Sequence, residues 1–184
     1  GAARVVCLEP EAAGSRENVR AVFRSTADAL TCPQAEMQAV TFQDFDPAGG
    51  QFDVVMIHQA INHLDEEACI LLHKEEEARR KYRKVLMKMA EVAAPGGRVI
   101  IVDVGRRNLF GDLGMRCPFA RSIEWHKHQS PRLWLELLEE VGFRRRRVQW
   151  FSFNRLGRWG RIFLANALGA YVCGTSFCLV VDKP

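Results

Sequence analysis

The chain has 184 residues, 48% of them hydrophobic and 26% charged, which is one domain's worth of sequence with enough apolar mass for a core and excludes a disordered tail or a fibrous repeat. Its net charge of +4 is too mild to single out nucleic acid or an anionic surface as the partner. No run approaches the roughly 18 apolar residues that a membrane span needs, and nothing at the amino end reads as a secretory signal. Six cysteines without a C-x-x-C pair predict reduced thiols in an intracellular compartment, cytoplasm or organelle matrix, and no zinc site.

Val5-Val6-Cys7-Leu8 is a short apolar run halted by Glu9-Pro10 and predicts a buried parallel strand. A chain that opens so near a strand is expected to be a piece of something longer. Residues 15–24 place Val19, Val22 and Phe23 on one helical face, Ser25 to Pro33 is polar and turn-like, and Met37 to Phe42 alternates as a strand. After the Ala48-Gly49-Gly50 turn, Phe52 to Ile57 has no polar residue beyond Asp53 and predicts a strand covered on both sides. Residues 65–92 carry Leu71, Ala78, Tyr82, Val85, Leu86 and Met89 at helical spacing. On the outer face, Glu75–Arg79, Glu76–Arg80 and Glu77–Lys81 each set an acid four residues ahead of a base, which reads as a solvated helix surface.

Pro95-Gly96-Gly97 leads into a strand from Gly97 to Val104, where Val99 to Val102 are consecutive β-branched residues. Residues 105–129 read as irregular. Ser130-Pro131 supplies an N-cap and a first-turn proline for a helix with Leu133, Trp134, Leu137, Leu138 and Val141 facing inward and Gly142 ending it. Residues 146–153 and 176–182 are the last two strands, with a basic, aromatic segment between them. Strands alternating with helices predict an α/β fold: a Rossmann-like, mainly parallel sheet with helices on both faces. The last two strands lack a helical crossover and predict an antiparallel pair at its edge. The expectation is one domain over 1–184.

In order and in end-residues these elements resemble the class I methyltransferases that use S-adenosylmethionine. Leu8-Glu9-Pro10 matches the acidic end of that family's second strand, Asp44-Phe45 the residues after its third, Phe52-Asp53 and His63-Leu64 the start and sequel of its fourth, Pro95 to Gly97 the turn into its fifth, and Gly142-Phe143 the end of the following helix. The resemblance runs from residue 4 to residue 182. It implies S-adenosylmethionine as cofactor, with Glu9 and Pro10 at the ribose hydroxyls, Asp44 at the adenine amino group with Phe45 beside the ring, and His58 and Gln59 at the amino-acid end. A carboxylate at a strand tip can accept from two vicinal hydroxyls, so a nicotinamide cofactor would suit Glu9 as well. Asp46 is a near-equal alternative to Asp44.

One departure is large. The family's first strand and its Gly-x-Gly-x-Gly loop should precede Val5, and this sequence has neither. The sheet is therefore expected to lack its central strand, which leaves backbone groups of two strands unpaired. An incomplete domain is the leading explanation, followed by a degenerate, structural subunit and then by a permuted chain.

Methyl transfer needs alignment of the acceptor, and a base only where the acceptor must lose a proton. His63, at the start of a helix, is one candidate base. Ile123-Glu124-Trp125-His126-Lys127-His128-Gln129 is the most chemically dense stretch, with Trp125 as a wall for the acceptor and His126 and His128 as further bases; two imidazoles without a third ligand make a poor metal site. Structural packing is the plainer account of each imidazole taken singly. The tract from Arg144 to Arg161, interleaved with Trp150, Phe151, Phe153 and Trp159, reads first as a strand with a solvated arginine face. A protein partner through residues 144–175 comes next, and single-stranded nucleic acid ranks behind it. The resulting expectation is an S-adenosylmethionine-dependent methyltransferase domain acting on a small-molecule or macromolecular acceptor. The alternative is an inactive subunit of the same fold in a larger assembly.

Overall fold

A computed structural model of the chain describes residues 1–10, 18–151 and 157–184, apart from the side chain of Arg161. These residues divide into two compact units, Gly1–Gly49 and Gly50–Pro184.

In the first unit β1 (Val5–Leu8) pairs in parallel with β2 (Ala35–Gln38), Val5 opposite Ala35 and Leu8 opposite Gln38. The crossover between them carries α1 (Val19–Ala29). Residues 15–17 of the expected helix lie outside the described residues. The described helix starts behind Asn18, which takes a left-handed φ of 63°, and runs five residues past the expected end. Backbone bonds from Leu30 to Thr26 (3.0 Å) and from Cys32 to Ala27 (2.9 Å) carry it through a polar stretch that composition marks as a turn. The second strand sits earlier than expected. Thr41 to Phe45 form a turn instead, with the amides of Asp44 and Phe45 both donating to the Thr41 carbonyl.

The second unit holds a four-stranded sheet in the order β3 (Phe52–His58), β4 (Ala93–Val104), β6 (Ser176–Asp182), β5 (Arg144–Trp150). β3 and β4 are parallel, and β6 runs antiparallel to both of its neighbours, so the expected antiparallel pair at the C-terminus is present. Phe153, and with it the end of the expected strand over 146–153, lies outside the described residues, as does Arg155. Asp182 anchors one corner of the sheet: Arg98 Nε and Arg146 Nη1 each donate to it at 2.9 Å, and these guanidinium groups hold its carboxyl below the usual range. The β5–β6 register shifts between Arg145 and Arg147, a bulge at Arg146.

The helix expected over 65–92 is two helices, α2 (Glu66–Leu71) and α3 (Glu76–Val92). The amides of Lys74 and Glu75 both turn back to the Leu71 carbonyl, and Glu75 is extended. The break leaves the apolar residues in phase, which is why their spacing reads straight through it. α5 (Pro131–Glu140) starts as expected, with Ser130 Oγ accepting from the Leu133 amide at 3.2 Å, and Gly142 follows it at φ 97°. α3 and α5 pack on each other and on the strands, burying Tyr82, Leu86, Met89, Trp134, Leu137 and Leu138. Strand alternation puts Val99, Ile101 and Leu179, all fully buried, on the face these helices cover. The opposite face of β3 differs from the expected two-sided cover: Val54 and Met56 are 53% and 59% exposed. The charged face of α3 also pairs differently from its i, i+4 pattern. Arg80 meets Glu77, and Arg83 bridges Glu76 on its own helix and Glu140 on α5.

β4 begins four residues earlier than its expected start at Gly97, because Ala93 pairs with Phe52 and the Gly96 amide bonds the Lys183 carbonyl at 3.0 Å. Gly97 is required there. A Cβ at this position would lie 2.7 Å from the Ala94 carbonyl oxygen and 3.1 Å from that of Phe52, both of them backbone. No helix among the described residues is long and apolar enough to cross a membrane. Gly97→Ala should therefore destabilise the protein by about 1–3 kcal/mol in urea unfolding, whereas Gly49→Ala, an open position at φ 74°, should cost only about 1 kcal/mol from its left-handed backbone.

Candidate functional site

The parallel strands β3 and β4 of the second unit end side by side, His58 opposite Val102. Beyond β3 the chain turns sharply. Gln59 takes a φ of 51°, and its amide donates to the Val102 carbonyl at 2.7 Å. A 3-10 turn follows over Ile61–Leu64, and Tyr82 holds it from beneath, its buried hydroxyl 2.9 Å from the Ile61 carbonyl and 3.3 Å from that of Asn62. Burial raises the pKa of that phenol, so it remains a donor at all ordinary pH values. Asp65 then caps α2 through the Ala68 amide at 3.0 Å. The same low-dielectric surroundings push the Cys69 thiol up to about 12, which makes it inert, and the buried Gln129 side chain donates to the Cys69 carbonyl.

At the end of β4, Asp103 is 1% exposed. Its Oδ1 lies 3.1 Å from His128 Nδ1, and its Oδ2 is buried with no hydrogen-bond partner among the described residues. A carboxylate at Nδ1 favours the tautomer with the proton on that nitrogen, leaving Nε2 as a free base. Gly105 is locked to Thr175 at the start of β6, its amide donating to the Thr175 carbonyl at 2.9 Å and the Thr175 hydroxyl donating to the Gly105 carbonyl at 3.2 Å. Arg106 comes next. Its Nη1 donates to the His126 carbonyl at 2.7 Å and to the Ile70 carbonyl at 3.3 Å, fastening the 123–129 stretch to α2. Lys127 adds a second tie between the same segments, 2.9 Å from both Glu66 and Glu124.

Two clefts open here, and Arg106 lines both. One, of about 450 Å³, is bordered by His73, Gln129, Trp150, Tyr171 and Thr175. His73 is held below its ordinary pKa, first by burial and then by the nearby charges of Arg106 and Lys74. The other, of about 420 Å³, is bordered by Asn108, Asp112, Ile123, Trp125 and His126. Asn108 caps the short helix α4 (Leu109–Asp112), its Oδ1 accepting from the Gly111 amide at 2.9 Å.

The residues singled out in the sequence fall in different places. Trp125 and His126 border the second cleft, and His128 sits on Asp103. His63 is exposed, 3.2 Å from Glu66, and borders neither cleft. His58 is exposed at the tip of β3, with Gln59 beside it in the turn. In the first unit Glu9 directly follows β1, its amide donating to the Gln38 carbonyl at 3.1 Å, and Pro10 is exposed. Asp44 accepts from the Thr41 hydroxyl at 2.6 Å, Phe45 is buried, and Asp46 caps a turn through the Ala48 amide. Sequence reasoning missed Asp103, Arg106, Asn108 and Tyr82. A carboxylate inside the apolar run Val99–Val104 was a signal for the first of these; Arg106 and Tyr82 act through contacts far apart in the chain, and Asn108 through a local cap of a four-residue helix that the sequence does not mark.

No family model matches the sequence, and no curated protein matches it. Solved structures match the fold. A putative S-adenosylmethionine-dependent methyltransferase from Listeria monocytogenes superposes with a TM-score of 0.63 at 12% identity, covering 100% of this chain and 81% of its own. The N-methyltransferase NodS from Bradyrhizobium japonicum, in complex with S-adenosyl-L-homocysteine, gives 0.53 at 12% identity, with 98% and 67% covered. The [4+2]-cyclase SpnF gives 0.57 at 15% identity, with 100% and 75% covered. The chain therefore has the Rossmann-like fold of the class I methyltransferases, a fold that also carries other chemistry.

Long-range proton–nitrogen spectra at pH 8 should show His128 with its proton on Nδ1 and a bare Nε2. In Asp103→Ala the ring should lose that preference, and an unchanged tautomer would show that the carboxylate does not set it.

Proposed function

We propose that this chain is the core of an S-adenosylmethionine-dependent methyltransferase whose acceptor gives up a proton as it is methylated. The observation that supports this reading most is the buried Asp103–His128 pair at the carboxyl end of β4. In open α/β sheets ligands gather at the carboxyl ends of the parallel strands. The dyad there has the arrangement of a general base: Asp103 fixes the ring and leaves His128 Nε2 to take a proton from an oxygen or nitrogen acceptor. His126 is a second candidate, at the border of the second cleft, and Trp125 on that cleft is the wall against which the acceptor would lie. His63, held by Glu66, is the weakest of the three bases.

S-adenosylmethionine, when bound, supplies an electrophilic methyl group on a sulfonium. The residues present fit it by their chemistry. The Glu9 carboxylate, at the tip of β1 next to Pro10, suits two ribose hydroxyls. Asp44 keeps Oδ1 for the adenine amino group while Oδ2 accepts from Thr41. Phe45 is the apolar neighbour assigned to the base, although it is only 4% exposed, and His58 and Gln59 suit the amino-acid end. The contribution of this chain's own groups is to align the acceptor, exclude water and hold the displaced proton on His128.

A partner surface follows within residues 144–175. Trp159, Ile162, Phe163 and Leu168 are all exposed on α6 (Gly157–Phe163) and α7 (Ala167–Cys173). Exposed apolar side chains in such density fit a protein partner better than nucleic acid. The six free cysteines fit a reducing, intracellular compartment.

The test is calorimetry with S-adenosylhomocysteine on the protein in the full length its gene encodes. Binding is expected, and Glu9→Ala should weaken it roughly 10- to 100-fold. Once an acceptor is in hand, His128→Gln should lower kcat by roughly 10²–10⁴ without changing cofactor affinity. A protein that takes up neither S-adenosylhomocysteine nor S-adenosylmethionine would leave only the inactive-subunit reading.

A further inference from the structure

We propose that Arg106 and Asn108 form an oxyanion subsite in the second cleft, and that the acceptor is a small molecule with a carboxylate or phosphate on an apolar body. Calling the ligand an acceptor rests on the methyl-transfer reading; the subsite itself does not.

The charges around the cleft point to this assignment. Asp112 is engaged by Arg107 at 2.8 Å and by the Tyr171 hydroxyl at 2.7 Å. Glu124 is engaged by Lys127 at 2.9 Å. Arg106 stands apart from these pairs. It has no carboxylate within ion-pair distance among the described residues, and its hydrogen bonds there are two backbone carbonyls, both accepting from Nη1. That leaves the donors on Nε and Nη2 unused. The guanidinium is half-buried, and burial holds its pKa below the ordinary value. A planar fork of this kind fits an oxyanion by two parallel hydrogen bonds.

Asn108 adds an independent observation. The residue is 1% exposed and lines the same cleft. Its Oδ1 is identified by the Gly111 amide that donates to it, so the other atom is the amide nitrogen. That Nδ2 has no hydrogen-bond partner among the described residues. A buried donor left without an acceptor is costly, and a ligand oxygen would satisfy it. Arg106 and Asn108 thus offer unused donors to one space, while the carboxylates bordering it are already neutralised. Ile123 and Trp125 supply the apolar wall, and about 420 Å³ accommodates a molecule of one or two rings.

The probes are benzoate, phenyl phosphate and the uncharged isostere benzamide, titrated calorimetrically into the full-length protein, with Trp125 emission as a second readout. Saturable binding of benzoate or phenyl phosphate is expected, with benzamide weaker by roughly 10-fold or more; the preferred anion names the oxyanion. Arg106→Gln should weaken anion binding roughly 10- to 100-fold, and Arg106→Lys less. Asn108→Asp keeps the oxygen that caps α4, so the fold is retained, yet it replaces the donor with a negative charge and should abolish binding. Equal affinity for benzoate and benzamide, or benzoate binding unchanged in both Arg106→Gln and Asn108→Asp, would overturn the subsite. S-adenosylhomocysteine is titrated in parallel. Anion binding without cofactor binding removes the methyl-transfer reading and keeps the subsite; cofactor binding without anion binding does the reverse.

Discussion

A carboxylate taken out of water at the end of an apolar strand carries a penalty on the order of several kcal/mol unless something donates to it. Asp103 is in that position, and one of its oxygens is met by His128. The pairing reaches beyond two side chains. It fixes the stretch that also carries Trp125, His126 and Gln129, and it brings Ser130 to the point where α5 must begin. Gln129 then reaches Cys69 on α2, and Arg106 reaches Ile70 on the same helix. The stretch between β4 and α5 would otherwise be a long irregular connection; here it is held at three points.

The turn after β3 depends on the same packing from the other side. Tyr82, deep in α3, donates its hydroxyl to the carbonyls of Ile61 and Asn62, so the geometry at the tip of β3 is set by a residue that borders neither cleft. The site thus combines rigid strand ends with loops pinned by buried donors. Such an arrangement suits chemistry that relies on alignment more than on bond-making by the protein.

Much of the fold was legible in the sequence for plain reasons. Val99 to Val102 admit few readings other than a buried strand, and Ser130-Pro131 with Gly142 brackets α5 by capping chemistry alone. Val5 to Leu8 form the expected parallel strand but not a buried one: Val5 is exposed and the other three are half-buried. The division of 65–92 into two helices was hidden because the interruption at Leu72–Glu75 preserves the phase of the apolar residues. The site was legible in part. The chemical density of 123–129 marked the right segment, and His128 is the imidazole that gains a buried partner. What set it apart from His126 was a residue 25 positions earlier, which no local pattern connects to it. Arg106 was likewise one arginine among many until its contacts, 20 and 36 residues away, distinguished it from the ion-paired ones.

β3 is an end strand of the four-stranded sheet, and it bears Val54 and Met56 on an uncovered face with Asp53 as its one acidic residue. Strand margins of this kind are ordinarily blunted by lysine, proline or a bulge away from solvent. Here the guard is thin. The colloidal behaviour of the polypeptide is therefore tied to whatever lies along that margin: with it covered the molecule should stay dispersed, and with it bare, crowding favours intermolecular β-pairing through residues 54–58 ahead of any loss of the helical layer.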